Sequence, residues 1–301
     1  MRIWVTVVIV IMISGIAFSQ VKVPTFSGQM FGDYYYVLQY HGPSEKNYQA
    51  FDYRRLDLAA MDTLSTDFLA RFCVESDQST SLSSGALGFA VKHAYLDWEN
   101  AFWGTTARMG LQPTPAIDLS ESVFGYRSLE KSIQDLHGIS PFVDMGVALY
   151  RNFGKDLYAT AEIGNNSGDL SSVDRYKRLY LQLTSAPKDG LIIGATVDYA
   201  GGPQRKYLRT GDLLVARKSA ALSGGAETVV QAVEHGEPNG STLKSFGISL
   251  NAAARIMRDF ALVARYDYWQ GDSKTRSTGQ SLYLLAFDFA AMKNVHFMPN
   301  V

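Results

Sequence analysis

The stretch that decides the fold is residues 105–142, TTARMGLQPTPAIDLSESVFGYRSLEKSIQDLHGISPF. We predict a strand from Thr105 to Gln112, a turn at the following Pro-Thr-Pro, and a new strand from Phe142. The segment Pro113 to Ser140 between these strands is the longest polar connection in the chain. A connection of this length is either functional or disordered, so it is the first place to look for a site.

The chain around this stretch alternates apolar with polar or small residues, in segments of about ten residues. In RLYLQL, for example, three leucines alternate with Arg178, Tyr180 and Gln182. A period of two is that of a β-strand, and about ten residues is the length of a strand that crosses a bilayer obliquely. A soluble β-sandwich also alternates in this way, so the pattern alone leaves both folds open.

The connections between the segments favour a membrane barrel over a sandwich. In chain order, short turns such as MDTLS and NFGKD alternate with longer polar loops such as NNSGDLSSVD and GDSKTRSTG. Short turns at one end and long loops at the other are typical of bacterial outer-membrane barrels. Seven connections of each kind delimit fourteen strands, and a fifteenth begins at Val295. The sequence predicts an all-β fold, a transmembrane antiparallel β-barrel of 14 to 16 strands whose long third outer loop folds inward.

Residues 1–19 predict a secretory signal peptide. Arg2 precedes the apolar run IWVTVVIVIMI, and Ala17 and Ser19 occupy the small-residue positions of a cleavage site; a membrane anchor is the alternative. The remaining residues, 20–301, are predicted to form one β-barrel porin domain. Because bacterial single-chain barrels have even strand numbers, we expect a sixteen-strand barrel truncated at its C-terminus, the alternative being fourteen strands with a short tail.

The composition argues against several other classes of function. The formal charge is −1, with 28 basic and 29 acidic residues, so nucleic acid is not an expected partner. Cys73 is the only cysteine, which excludes an intramolecular disulfide. The sequence contains no G-x-S-x-G, H-E-x-x-H or Cys/His metal spacing, so we expect no enzyme activity, metal or cofactor.

Four basic side chains are predicted to form a belt inside the barrel. Orienting each strand by its apolar face places one of them on the inner face of each of four successive strands, near mid-height: Arg55, Arg71, Lys92 and Arg108. The same rule sends His93 toward the lipid and lets Arg265 pair with Asp267 on one face.

The long loop is predicted to supply the other side of a constriction. Its charged residues are Asp118, Glu121, Arg127, Glu130, Lys131 and Asp135. A basic wall opposite an acidic loop makes a transverse field that orients polar solutes. Within the loop, Leu129, Ile133 and Leu136 have helical spacing, with Ser128 as a cap and Gly138 as an end. The alternative is that the loop is an outer lid that never enters the lumen.

Several phrases give the chain a resemblance to bacterial outer-membrane porins of the phosphate-selective porin O and P type, in the broad sense. They are GLQPTP, FGYRSLEKSIQDLHGIS, VKHAYLDWEN, DRYKRLYLQL, ARYDYW and MKNVHFMPNV. The resemblance implies a sixteen-strand barrel, a homotrimer, an inward third loop and further strands after MPNV. Phosphate channels of that kind line their pore with a dense arginine ladder and a lysine cluster. The present chain has only its four-residue belt among many acids, so phosphate selectivity is not predicted.

The function that follows is passive diffusion of small hydrophilic solutes or ions across a bacterial outer membrane, with weak charge selectivity. The expected partners are outer-membrane lipid, small hydrophilic solutes or anions, and further copies of the chain in a homotrimer. The first alternative is a plugged or structural barrel that serves adhesion or assembly. A barrel hydrolase is the less favoured one, because it needs an inward Ser or Asp beside a His at one rim.

Overall fold

The computed structural model describes residues 23–39, 46–77, 80–82, 86–170, 172–187 and 189–301. The predicted signal peptide, residues 1–19, lies outside these described residues. Within them, no helix has the length and apolar character needed to cross a membrane. The described chain forms a single antiparallel sheet in which each strand pairs with its neighbours in sequence, from the first strand to the fifteenth.

Over the described ranges, the strands confirm the predicted count of fourteen and a fifteenth that begins at Val295. Their bounds are β1 (Thr25–Tyr36), β2 (Gln49–Thr63), β3 (Phe68–Asp77), β4 (Ala90–Phe102), β5 (Thr105–Pro113), β6 (Val143–Asn152), β7 (Leu157–Gly164), β8 (Arg178–Ser185), β9 (Leu191–Ala200), β10 (Leu208–Lys218), β11 (Leu222–Val233), β12 (Leu243–Met257), β13 (Phe260–Gln270), β14 (Gly279–Met292) and β15 (Val295–Phe297). Two helices, α1 (Pro115–Phe124) and α2 (Ile133–Leu136), lie in the long loop between β5 and β6.

The sheet is polar inside and apolar outside, the reverse of a soluble protein. On β8, Leu179, Leu181 and Leu183 are 44%, 45% and 50% exposed, whereas Arg178 and Tyr180 on the opposite face are 2% and 0% exposed. The same alternation runs along β9 to β14. Exposed leucines on every second position suit contact with lipid, and polar side chains on the other face suit a lumen.

Contacts with the long loop show that the sheet is rolled into a barrel. Arg54 on β2 donates to the carbonyl oxygens of Ser128 and Leu129, at 3.2 and 2.8 Å. Two residues earlier in the loop, the Tyr126 hydroxyl donates to Asp288 on β14 at 3.2 Å. In a flat sheet, β2 and β14 would be about 55–60 Å apart, at about 4.8 Å per strand. One short loop segment contacts both strands only because the sheet curves round to enclose it.

The loop lies inside this barrel, which makes the outer-lid alternative wrong. Helix α1 packs against β8 to β11, and α2 against β12. Ser120 and Gln134 of the loop donate to the inward carboxylate of Glu227 on β11, at 2.6 and 2.8 Å. Ile117 and Ile133 are completely buried. The predicted inward fold of the third outer loop is therefore confirmed.

The apolar core sits between this loop and the strands from β9 to β14. Three loop residues each pack against inward apolar side chains of the wall: Leu129 with Val263 and Leu284, Val123 with Leu214 and Ala216, and Ile139 with Val229 and Trp269. Burying each such side chain stabilises the docked loop by about 2 kcal/mol. The loop is thus held on one side of the lumen, and the opposite side, along β1 to β4, stays less filled.

Candidate constriction site

Two cavities lie between the loop and the wall formed by β1 to β4, with volumes of about 290 and 300 Å³. The upper cavity is at the long-loop end, and its charged lining includes Arg55, Glu75, Lys131 and Asp135. The lower cavity is toward the short-turn end, and its polar lining includes Gln29, Asp57, Arg71, His93 and Glu121. Both cavities are also lined by the same three side chains, Lys92, Arg127 and Phe142.

These three side chains, here called the shared trio, lie where the two cavities meet. The ammonium nitrogen of Lys92 is 5.0 Å from the centre of the Phe142 ring, and the guanidinium carbon of Arg127 is 4.3 Å from it. Both distances are within the range of cation–π attraction. Arg127 also pairs with two loop carboxylates, those of Glu121 and, at 2.8 Å, Asp135. The trio is therefore a tightly held contact between the wall and the loop.

Two members of the predicted basic belt are neutralised by neighbouring carboxylates on the wall. Arg55 pairs with Glu75 at 3.0 Å. Lys92 lies 2.6 Å from Glu75 and 3.1 Å from Asp57. The side chains of Arg55, Lys92 and Asp57 are 8% exposed or less. Buried cations without a carboxylate partner would be costly, which accounts for the pairing.

Arg108 and Arg71 differ in how they are held. Arg108 pairs with Asp97 at 2.6 Å, its guanidinium carbon is 3.9 Å from the Tyr95 ring centre, and it lines neither cavity. Arg71 lines the lower cavity, and within the described part of the chain it has no ion pair. The expected single belt is therefore divided, with Arg55, Arg71 and Lys92 at the cavities and Arg108 apart from them.

The loop presents a cation rather than an acidic face to the wall at the shared trio, which corrects the expected arrangement. The reason is that Arg127 takes up the charges of Glu121 and Asp135, whose side chains are only 16% and 14% exposed. Lys131 is exposed at the upper cavity, while the Glu130 carboxylate accepts a hydrogen bond from the Lys131 backbone nitrogen at 2.8 Å.

Asp118 on α1 is the predicted loop acid that does face wall cations. Its side chain reaches lumen solvent, yet the crowding around it partly removes the carboxyl from water. That burial raises the pKa of Asp118, and the nearby charges of Arg108 and Arg71 partly offset the rise. The expected arrangement, a basic wall opposite an acidic loop residue, is therefore present at Asp118 rather than at Arg127.

His93 and Phe142 are site residues that the strand pattern does not predict. A β-bulge in β4 places Cys73 opposite His93 but Val74 opposite Val91, so Lys92 is the extra residue. The consecutive residues Lys92 and His93 consequently both line the lower cavity, and the expectation that His93 faces lipid is wrong. Its ring is 6.2 Å from that of Phe142. No group of three His, Cys, Asp or Glu suitable for a metal ion occurs among the described residues.

Helix α1 was also missed, although its sequence carries a start signal. Thr114 is the N-cap, Pro115 takes the first helical position, and Gly125 ends the helix with a φ of 71°. The predicted loop helix is shorter than expected and begins later. Its N-cap is Ser132, not Ser128, because Leu129 turns into the core against β13 and β14 instead of starting the helix.

No model of a known protein family matches the chain, and no curated protein matches it. Solved structures do match over most of its length. Salmonella typhi OmpF in complex with daunomycin has a TM-score of 0.65 at 8% identity, covering 92% of this chain and 88% of that one. A mutant of Rh. blastica porin has a TM-score of 0.58 at 13% identity, covering 92% and 94%.

A loop-deletion mutant of OmpT, an outer membrane protein of Vibrio cholerae, is similar to a comparable extent. Its TM-score is 0.58 at 12% identity, over 89% of this chain and 90% of that one. At such low identities these similarities show the fold alone. The fold is the antiparallel transmembrane β-barrel of bacterial outer-membrane porins.

Proposed function

We propose that the chain is a bacterial outer-membrane porin, a passive diffusion channel for small hydrophilic solutes or ions. The observation that carries this proposal is the pair of polar-lined cavities that meet at the shared trio inside an apolar-surfaced barrel. Their axis follows β1 to β4, the side of the lumen that the docked loop leaves less filled. Solutes pass from the long-loop end through the upper cavity, past Phe142, and into the lower cavity.

The charges along this path support weak selectivity. The upper cavity is lined by four basic and four acidic side chains: Arg55, Lys92, Arg127, Lys131, Glu75, Asp77, Asp135 and Asp169. The lower cavity has one more basic side chain than acidic ones: Arg71, Lys92, Arg127, Asp57 and Glu121. The upper cavity thus has equal numbers of basic and acidic side chains, and the lower cavity has one basic side chain in excess. This arrangement favours small anions slightly without excluding cations.

Two further proposals follow, and only the first rests on the resemblance to the porin O and P type. One is assembly as a homotrimer in contact with outer-membrane lipid. The other is that the barrel has the wide solute range of a general channel and not a phosphate filter. The second proposal rests on the pairing of Arg55, Lys92 and Arg108 with wall carboxylates. Basic side chains that are paired in this way are not free to bind a series of anions along the pore.

Conductance in a planar lipid bilayer tests the channel proposal. The refolded chain is expected to give discrete current steps that grow linearly with voltage. A second function, a plugged barrel that serves adhesion or assembly, is favoured by one observation: the loop contacts the inner face from β8 to β14. A plugged barrel predicts a silent chain that conducts only after residues 116–139 are deleted. Silence before and after that deletion contradicts both functions.

A further inference from the structure

A pair of basic side chains lies on the outer surface of the barrel, at its long-loop end. In the strand register, Arg209 on β10 is opposite Ala232 on β11, which is opposite Lys244 on β12. The three positions share the outward face with exposed Leu213 and Ile248 on the same strands. Across two strand spacings, Arg209 and Lys244 are about 10 Å apart, and only the methyl group of Ala232 lies between them.

A groove runs from this basic pair toward the middle of the barrel wall. The next outward row is Gly211, Val230 and Phe246, and here the surface encloses a cavity of about 450 Å³. The outward residues of β11 further along are Thr228 and Ala226, both small. Larger side chains flank them on the neighbouring strands: Leu213, Val215, Ile248 and Leu250. A strip of small residues between two rows of large ones, about 10 Å apart across two strand spacings, forms a groove along β11.

The charge of the groove's upper end identifies the class of ligand. Arg209 is 63% exposed, and its one ion pair among the described residues, with Glu234 at 2.5 Å, lies at the surface, where such pairs contribute little. Lys244 is exposed and has no ion pair among the described residues. Arginine and lysine side chains at this spacing complement a phosphate, which accepts charge-assisted hydrogen bonds from both. The apolar groove below them complements hydrocarbon.

We propose that Arg209, Lys244 and the β11 groove form a binding site for one phosphate-bearing lipid of the outer leaflet. The phosphate lies between the two basic side chains, above Ala232, and an acyl chain fills the groove over Gly211 and Val230. The site is independent of the lumen, but its assignment to the outer leaflet rests on the proposed outer-membrane location with the long loops outside. A lipid fixed here contacts all three strands, β10, β11 and β12.

Native mass spectrometry of the detergent-solubilised full chain tests this site, with diphosphorylated lipid A as the probe. We expect one tightly retained lipid, and we expect Arg209→Ala with Lys244→Ala to weaken its retention about thirtyfold. The matched control is Arg217→Ala, which removes an outward arginine at the opposite, short-turn end of β10. Equal losses in the control and the double variant would overturn the proposal.

A second variant separates a built site from general surface charge. Val230→Trp fills the groove on a lipid-exposed position, 58% exposed, and leaves both basic residues in place. We expect it to weaken lipid A retention at least tenfold, because the acyl chain loses its apolar contacts in the groove. In the unsubstituted chain, inorganic phosphate is expected to compete only weakly with the lipid. Unchanged retention in Val230→Trp, or displacement of the lipid by millimolar phosphate, would show that charge alone holds the lipid. Because neither measurement involves conduction, a silent channel would leave this result unaffected.

Discussion

Arg71 offers the cleanest test of how charge controls the lumen. It lines the lower cavity, it is half-buried, and it has no ion pair among the described residues. Removing Arg127 would instead leave the carboxylates of Glu121 and Asp135 without this cation. Removing Arg55 would leave Glu75 with one cation fewer. Arg71→Ala therefore changes the electrostatic potential of the path without leaving a buried carboxylate unpaired.

The size of the effect follows from the size of the cavity. In a space of about 300 Å³, an ion near the centre passes about 6 Å from the guanidinium at the wall. At that distance one unit charge contributes about 0.7 kcal/mol in water, and screening at about 0.1 M salt reduces it to about 0.4 kcal/mol. Removal of this positive charge therefore raises the entry of cations about twofold and lowers the entry of anions about twofold. The cation-to-anion permeability ratio rises about fourfold.

The assay is the reversal potential of the reconstituted channel in a salt gradient. Arg217→Ala is the matched control, because it removes the same charge from the outer surface of the barrel. We expect Arg71→Ala to shift the reversal potential toward the value for cations, and the control to leave it unchanged. An unchanged ratio in Arg71→Ala, or an equal shift in both variants, would refute the placement of the ion path beside Arg71.

Three further predictions concern the other groups in the lumen. Arg108→Ala is expected to raise the cation-to-anion ratio by less than Arg71→Ala in the same recordings, because Arg108 lines neither cavity. Burial raises the pKa of Asp118, so its negative charge develops at higher pH than that of an ordinary aspartate. Cation preference should therefore rise with pH above the usual aspartate range, and Asp118→Asn should abolish that rise. Gln134→Leu removes the 2.8 Å hydrogen bond to Glu227 and should weaken loop docking by about 1–3 kcal/mol, measured as faster limited proteolysis of the loop.

Each of these has a contradicting result. A larger shift in Arg108→Ala than in Arg71→Ala would place the path beside β5 instead of β3. A pH dependence that persists in Asp118→Asn would assign the titration to another carboxyl. Proteolysis of Gln134→Leu at the unchanged rate would mean that Glu227 is not a tether of the loop, and Ser122→Ala, an exposed α1 position, serves as its control.

The strands could be predicted from the sequence because their signal is local. An inward residue and an outward residue alternate at every step, so RLYLQL alone reveals which side of β8 meets lipid. The pairing of Arg265 with Asp267 was predicted for the same reason, because residues two positions apart on a strand lie on the same face of the sheet. The inward position of the long loop followed from its length and polarity, and the contacts of Ser120 and Tyr126 confirm it.

The details of the constriction could not be predicted, because they depend on contacts between distant segments. The bulge at Lys92 shifts the pattern by one residue, and nothing in VKHAYL marks it. Which cations remain free depends on which carboxylates the fold places beside them, as Glu75 beside Arg55. The choice of Arg127 rather than an acid at the wall depends on where Leu129 and Val123 anchor the loop. Helix α1, by contrast, was predictable from Thr114 and Pro115.

Thiol block of single channels tests whether ions pass along the β1 to β4 wall through both cavities. Gln29→Cys places a thiol in the lower cavity, Lys131→Cys in the upper cavity, and Ala226→Cys on the lipid-facing surface. The unmodified chain, whose Cys73 is 2% exposed, provides the baseline. A membrane-impermeant sulfonate thiol reagent is expected to lower the conductance in one step for both cavity positions and to leave Ala226→Cys unchanged. Unaltered conductance at both cavity positions would show that ions do not pass along the β1 to β4 wall.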